Sequence, residues 1–426
     1  MSAKFRLPSL LDRQAPHFHP ALIDLVFGIV APLSLAWVVG YGATRVERDP
    51  AVRRLLWAGL SLRLMGGLLY YVLLEATYGG GDYSAYVADA FAALGDPTTG
   101  ISRSIYDTHG RVWSGTAVTS LVTSWFAFVI GRSVVGLFLV FSTISFVGAA
   151  LFGATFKRVF TNVDGVSYYR WVMLFPSLWF WTAALGKDAL IMAGLGMAAF
   201  GFVGRRRRLW PLVVAGVAIV FAIRAPYAAL AAAALAAGGL VGRNQRGTDL
   251  QRVATLAVVA LGVYVAIPLV SMAVGVSVTE IAAVTKRIDQ RAEDSSYGGS
   301  SFRAADDPVT AVATALFRPF PWEAQGLLML AASAEILLLW GLAVRRRQAI
   351  RRFIRDHWRS EFVVVSAAFV LLLAVLVGMA VGNFGTIVRQ RVHLYPFLFV
   401  VVGGYARQLR GRRVRAAARP RARVQA

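Results

Sequence analysis

The sequence predicts an all-α fold, a polytopic membrane bundle of about eleven or twelve transmembrane helices, for three reasons. Hydrophobic residues make up 57% of the 426 residues. They fall in runs of about 18–25 residues, the length that crosses a hydrocarbon core about 30 Å thick. Arginines concentrate in the short segments between those runs, as the positive-inside rule describes.

The apolar runs define one transmembrane domain, residues 21–408, between an N-terminal tail, 1–20, and a basic C-terminal tail, 409–426. Two long loops, 79–112 and 277–323, interrupt it. The predicted spans are 21–42, 55–78, 113–131, 134–156, 169–185, 189–204, 209–225, 226–242, 253–276, 324–344, 361–382 and 394–408.

The charge distribution predicts the orientation of the chain. Lys and Arg together number 45 against 22 Asp and Glu, a balance that would indicate nucleic acid in a soluble protein. Here eight arginines lie between Arg407 and Arg423, so we expect a cytoplasmic C-terminus, a multi-pass protein of the inner (plasma) membrane and no nucleic-acid partner. The loops Arg345–Arg359 and Arg205–Arg208 then lie on the same side.

The run 113–131 is predicted to lie in the membrane interface rather than to cross. If it crossed, the basic loop Arg45–Arg54 would lie outside, against the charge rule. Its polar residues recur at helical spacing and form one face; they are Thr116, Thr119, Ser120, Thr123 and Ser124. A spanning helix packed inside a bundle is the alternative.

The stretch YGGGDYSAYVADAF, residues 78–91, places the first candidate site residues on the extracytoplasmic side. In a helix that begins near Gly81, Asp82, Tyr86 and Asp89 share one face and Tyr83 lies on the other. We interpret Asp82 as a catalytic candidate that is partly buried near the membrane, and both tyrosines and Asp89 as substrate-binding candidates. Helix capping is the alternative explanation for Asp82.

Further candidates lie at the ends of other spans on the same side. In FPSLWFWTAALGKDALI, Pro176 is expected to kink or break a helix. Lys187 and Asp188 lie at the membrane edge, where ionisable residues are costly and often functional. We interpret Asp188 as a catalytic candidate and Lys187 as a substrate-binding candidate; a turn with a local ion pair is the alternative. Arg224 ends another span and suits a phosphate, since its planar fork donates two hydrogen bonds. Snorkelling to the interface is the alternative for Arg224.

Arginines near the last predicted span complete the set of candidates. Arg389 and Arg391, in GNFGTIVRQRVHLYP, lie on the side that should be poor in positive charge, so we expect the pair to hold a lipid phosphate or diphosphate. Arg318, in FRPFPWE, precedes a span and is a substrate-binding candidate.

The sequence has no cysteine, which removes thiol chemistry. No metal ligands and no cofactor are assigned, and the need for a divalent metal stays open.

These motifs resemble the GT-C superfamily of membrane glycosyltransferases and polymerase-like membrane proteins of bacterial polysaccharide loci. The resemblance covers about residues 55–200 and 315–400. The likeness to the superfamily rests on the Gly-Asp-Tyr loop, the interfacial helix and the Pro-Ser…Lys-Asp helical pair, and the likeness to the polymerase-like proteins rests on FRPFPWE and NFGTIVRQR…P. It implies that Asp82 acts as the base, with Asp188 as a second acidic residue. Glycines precede Asp82 where the superfamily often pairs two acids.

The resemblance implies a polyprenyl-linked sugar phosphate or diphosphate as donor and a glycan or lipid acceptor at the outer face, in polysaccharide biosynthesis of the cell envelope. Arg224, Arg389 and Arg391 would neutralise the departing phosphate, and Asp82 would take a proton from the acceptor hydroxyl. The competing prediction is a transporter or flippase for a lipid-linked sugar or anion. Transporters commonly contain repeats, and no repeat is evident in this sequence.

Overall fold

The computed structural model describes residues 26–95, 115–163, 165–203, 209–241 and 300–402, together with residues 286, 289, 290 and 293. Both predicted tails, the predicted span 253–276 and large parts of the loops 79–112 and 277–323 lie outside the described residues.

The described residues are helical and contain no β-strand; one isolated bridge pairs Ser301 with Asn383. A π-helical turn, Val26–Val30, precedes the first helix, and a 3₁₀ turn covers Pro321–Glu323. The α-helices are α1 (Ala31–Val46), α2 (Pro50–Tyr78), α3 (Asp82–Gly95), α4 (Gly115–Ile130), α5 (Val134–Val159), α6 (Gly165–Leu174), α7 (Pro176–Trp181), α8 (Lys187–Phe202), α9 (Trp210–Ile223), α10 (Ala225–Val241), α11 (Pro308–Phe317), α12 (Leu327–Arg345), α13 (Arg347–His357), α14 (Glu361–Ala380), α15 (Phe384–Arg391) and α16 (Tyr395–Val402).

Five helices of the described chain are long and apolar enough to cross a membrane, which indicates a membrane protein. They are Phe27–Val46, Pro50–Thr77, Val134–Val159, Leu327–Arg345 and Glu361–Ala380. Several other predicted spans form shorter apolar helices, and 253–276 lies outside the described residues, so the total of eleven or twelve spans stays a prediction. Among the described residues, α8 and α10 have the predicted lengths, whereas Pro176 divides the predicted span 169–185 between α6 and α7. The described part of the last predicted span is α16.

Contacts between distant segments define one end of the bundle, which we call the Lys157 end. The loop between α1 and α2 carries Glu47, whose Oε1 lies 2.6 Å from the Nζ of Lys157, near the end of α5. Phe160, just after α5, packs against Phe353 and His357 of the basic helix α13. The basic segments around residues 45–54, 157–160 and 345–357 therefore lie together.

The opposite end, which we call the Asp188 end, gathers the segments predicted to be extracytoplasmic. Helix α2 runs from the Lys157 end to Gly79, and α3 begins at Asp82 soon afterwards. Helix α8 begins with Lys187 and Asp188 and runs back until Phe200 accepts a hydrogen bond from Arg158. The bundle thus separates two groups of polar residues along its length.

Helix α4 starts and ends near the Asp188 end. Thr116 of its first turn accepts a hydrogen bond from Lys187 at 2.8 Å. Ser133, just beyond its last turn, donates to the carbonyl of Gly28, before α1, at 2.9 Å. Helix α4 therefore does not run the length of the bundle, which agrees with the prediction that the run 113–131 does not cross.

The polar stripe of α4 faces inward, contrary to the interfacial interpretation. Thr119, Ser120, Thr123 and Ser124 are fully buried, whereas Trp125 and other apolar residues of the helix are exposed. The threonine and serine hydroxyls find partners inside the protein, three of them on carbonyls one helical turn earlier. The stripe is therefore a packed surface, but the helix does not run the length of the bundle as the alternative interpretation required.

Pro176 breaks the helix as predicted, and two ionisable side chains compensate for the break. Proline has no N–H, so the carbonyl of Val172 lacks its helical donor and instead accepts from Nη2 of Arg63 at 3.0 Å. The backbone N–H of Ser177 donates to Glu335 at 2.8 Å. Arg63 and Glu335 lie inside apolar helices, and the freed backbone groups stabilise them there.

Close helix packing involves the glycines of the stretch GLGMAAFG, residues 194–201. A Cβ at Gly194 would lie 2.7 Å from the carbonyl oxygen of Gly216 on α9, and Gly196 leaves equally little room against Gly148 of α5. Small residues at these crossings let the helix backbones touch. Helix α8, and with it Asp188, is thereby fixed between two neighbours.

Candidate functional site

Arg389 of α15 connects two carboxylates that come from different helices. Its Nε lies 2.5 Å from Oδ2 of Asp188, and its Nη1 lies 3.0 Å from Oδ2 of Asp82. The side chain of Asp188 is 4% exposed and that of Asp82 is 69% exposed. One carboxylate is therefore a buried partner of the guanidinium, and the other is accessible.

Local sequence explains how each element presents its side chain. Gly79 and Gly80 adopt φ angles of 65° and 142°, which glycine tolerates, and they turn the chain from α2 into α3 so that Asp82 lies in the first turn. Gly186, at φ 154°, does the same before Asp188. Asn383 caps α15 by accepting from the N–H of Thr386 at 3.2 Å.

A second set of polar residues lies beside Asp188. His393 is fully buried, and its Nε2 lies 3.8 Å from Oδ1 of Asp188. Arg224 donates to the hydroxyl of Tyr227 at 3.1 Å, and that hydroxyl donates to Gln390 at 2.9 Å. The α9–α10 junction is thus hydrogen-bonded to α15, the helix that carries Arg389.

Opposing effects set the protonation of Asp188, which lies just before the predicted span 189–204. Burial alone would raise the pKa of Asp188, but the positive charges of Arg389 and Arg224 outweigh it and lower the pKa below its usual value. Burial lowers the pKa of His393, which favours the neutral imidazole. Asp188 is therefore an ionised partner of Arg389.

Lys187 is a partly desolvated cation next to this group. Burial and, secondly, the charge of Arg224 lower its pKa to about 8. Lys187, Arg224 and Arg389 provide three cations near the two carboxylates of Asp82 and Asp188. The excess of positive charge favours an anionic ligand near Asp82.

A narrow cleft borders the two carboxylates and encloses about 10 Å³, room for about one water molecule. A sugar is far larger, so substrate entry requires the cleft to widen. The residues that line the cleft are Tyr70, Leu74, Asp82, Tyr83, Ala184, Leu185, Gly186, Asp188 and Arg389.

The remaining candidates are engaged in other contacts. Tyr83 lines the cleft, but its hydroxyl donates to Glu75. Tyr86 is buried, and its ring lies next to Gly186. Asp89 accepts from Ser120 at 2.7 Å, which ties α3 to α4.

The arginines predicted to act as a pair are separated. Arg391 is 1% exposed and donates to the carbonyl of Arg318, away from Asp188. Arg318 itself binds Glu323, with Nε 2.9 Å from Oε1. The expectation that Arg389 and Arg391 form a paired cation is thus wrong, because residues two apart on a helix point in different directions.

Two further expectations change with the geometry. Asp82 was expected to be partly buried, whereas its side chain is mostly exposed. His393 and Tyr227, absent from the predicted set, lie beside Asp188 and Arg224. His393 lies four residues after Arg389, and Tyr227 lies three residues after Arg224, spacings that place helical neighbours on one face.

No group of three or more potential metal-ligating side chains occurs in the ranges that the structure describes. Comparison with protein-family models, with curated proteins and with solved structures finds no match to this chain.

Proposed function

We propose that the protein is a membrane glycosyltransferase that moves a sugar from a polyprenyl-linked phosphate or diphosphate to a glycan or lipid acceptor at the extracytoplasmic face. The observation that carries this proposal is the bridge from Arg389 to the exposed Asp82 and the buried Asp188. A proton acceptor and a group of cations meet there at one end of an apolar bundle, where a lipid-linked phosphate would arrive.

In the proposed reaction, Arg389 first binds the donor phosphate, and Asp82 then acts as the base. The donor phosphate competes with Asp82 for Nη1 of Arg389, and its arrival frees the Asp82 carboxylate. Asp82 then accepts the proton of the acceptor hydroxyl while the hydroxyl oxygen bonds to the anomeric carbon. The bond from that carbon to the phosphate oxygen breaks, and the electron pair stays on the phosphate beside Arg389, Lys187 and Arg224.

Asp188 is a positioning residue in this proposal rather than the catalytic residue that the resemblance implies. Its carboxylate is almost fully buried and already binds Nε of Arg389, whereas that of Asp82 is mostly exposed. It fixes the guanidinium plane, and Nη1 then points to the accessible side. Preorganisation of this kind avoids rearranging a cation during the reaction.

Incubation of the purified protein in lipid with a panel of polyprenyl-linked sugars tests the proposal. We expect release of lipid phosphate or diphosphate together with appearance of the sugar on an acceptor. Parallel reactions with a chelator and with added Mg²⁺ decide the metal requirement. Movement of intact donor across a sealed bilayer without bond cleavage would instead identify a transporter or flippase.

Asp306→Asn is a matched control for Asp82→Asn in the same assay. Asp306 is also an exposed aspartate paired with an arginine, at 2.9 Å from Arg303, but it lies outside the cleft. Loss of transfer in Asp82→Asn alone would support the assigned site. Equal loss in both variants would contradict it.

A further inference from the structure

A second charged pocket lies at the Lys157 end, between the last turn of α1 and the first turns of α2. Its volume is about 430 Å³, within the usual range for pockets that hold small ligands. The residues that line it are Tyr41, Thr44, Arg45, Glu47, Arg48, Arg53 and Trp57.

The pocket carries uncompensated positive charge. Its one carboxylate, that of Glu47, is 12% exposed and lies 2.6 Å from the Nζ of Lys157, so its charge is already neutralised. No carboxylate among the described residues lies within salt-bridge distance of Arg45, Arg48 or Arg53. Three guanidinium groups around a cavity favour a phosphate, which accepts several charge-assisted hydrogen bonds.

An exposed apolar stripe runs from the pocket along α1. Leu33, Trp37, Tyr41 and Arg45 follow one another at four-residue intervals and share one helix face. Leu33 is 43% exposed and Trp37 is 58% exposed. The rings of Trp37 and Tyr41 stack at 5.3 Å, which gives the stripe a flat surface next to the pocket.

We propose that this pocket binds the headgroup of an anionic phospholipid. The lipid phosphate lies among Arg45, Arg48 and Arg53, and an acyl chain lies along Trp37 and Leu33. A free phosphate would use the arginines alone, whereas a phospholipid uses both the charge and the stripe. This site is separate from the Asp188 end and does not rest on the proposed glycosyl transfer.

Native mass spectrometry of the full chain in detergent tests the proposal by counting bound lipids. We expect one phosphatidylglycerol molecule per chain to bind at least about tenfold more tightly than phosphatidylcholine. Both lipids carry an anionic phosphate, but the quaternary ammonium of choline cancels the net charge of the headgroup and is repelled by the three arginines. Inorganic phosphate at millimolar concentration is expected to leave the lipid bound. Equal binding of the two lipids, or displacement by phosphate, would overturn the proposal.

Two charge-matched triple variants separate this pocket from general surface charge. Arg45→Gln/Arg48→Gln/Arg53→Gln removes three pocket arginines; Arg351→Gln/Arg352→Gln/Arg355→Gln removes three exposed arginines of α13 at the same end. The first is expected to weaken phosphatidylglycerol binding about tenfold or more, and the second to change it less than about twofold. Equal effects would overturn the proposal. If the first variant does not fold, Arg45→Gln alone must still weaken binding relative to Arg351→Gln.

Discussion

The two ends of the bundle hold their charges in different ways. At the Asp188 end, Arg389 binds two carboxylates from distant parts of the chain, and one of them is almost fully buried. At the Lys157 end, the Glu47–Lys157 pair joins the α1–α2 loop to the last turn of α5, while neighbouring arginines lie exposed.

The difference follows from the cost of removing a charge from water. An exposed arginine keeps its hydration and needs no partner, whereas a buried carboxylate is stable only when a cation and hydrogen bonds compensate for the lost hydration. The Asp188 end therefore has one preferred arrangement of its charged groups. The Lys157 end has arginines available for an external anion, and membrane surfaces supply such anions.

The largest expected effect on stability concerns Arg389→Ala, which leaves the carboxylate of Asp188 buried without its main partner. We expect a loss of about 3–5 kcal/mol in the free energy of unfolding. Thermal or denaturant unfolding in detergent measures it. Arg351→Ala, at an exposed position of α13, is the control and should change stability by about 0.5 kcal/mol or less. Equal stability of Arg389→Ala and the wild type would show that the bridge is not a structural unit.

A smaller effect is expected from pH at the Asp188 end. The pKa of Lys187 is lowered to about 8 by burial, so the side chain loses its proton, and its charge, as the pH rises through that value. Affinity for a soluble sugar-phosphate analogue should therefore fall above about pH 8, by roughly tenfold. Titration calorimetry across pH 7–9 measures the transition.

Lys187→Met should bind the analogue weakly and without this transition, whereas Lys157→Met, at the other end, should keep the wild-type profile. A transition that persists in Lys187→Met would assign it to another group.

The smallest effect is expected for Lys157→Gln. The lysine side chain is 34% exposed, so water screens the pair with Glu47, and we expect a loss of about 1 kcal/mol or less in the free energy of unfolding. The unfolding assay used for Arg389→Ala measures both. A loss as large as that of Arg389→Ala would mean that the two ends do not differ in the way described.

Much of the fold follows from patterns that are local in sequence. Apolar run length predicts the long helices, Pro176 predicts the break after α6, and the GLGMAAFG glycines predict close packing. Each depends on a few neighbouring residues and on the chemistry of the backbone. The lengths of α8 and α10 were predicted as well, whereas α9 is shorter than the predicted span 209–225 because it ends just before Arg224.

For the candidate site, the sequence predicts which residues take part but not which of them contact each other. Charge-rule violations and membrane-edge positions identify Asp82, Asp188 and Arg389, but Asp188 and Arg389 are 201 residues apart, and no local pattern pairs them. Likewise, the sequence shows that α4 has a polar stripe without showing whether that stripe faces water or protein. Directions of side chains such as Arg391 depend on tertiary packing.

The central claim is that Asp82 acts as the base while Asp188 holds Arg389 in position for the donor phosphate, and Asp82→Asn tests it most directly. Because the Asp82 side chain is mostly exposed, we expect unfolding to change by no more than about 0.5 kcal/mol. Sugar transfer from a polyprenyl-linked donor should fall by about a hundredfold or more, the contribution of a general base. Unchanged transfer in a stably folded Asp82→Asn variant would contradict the claim.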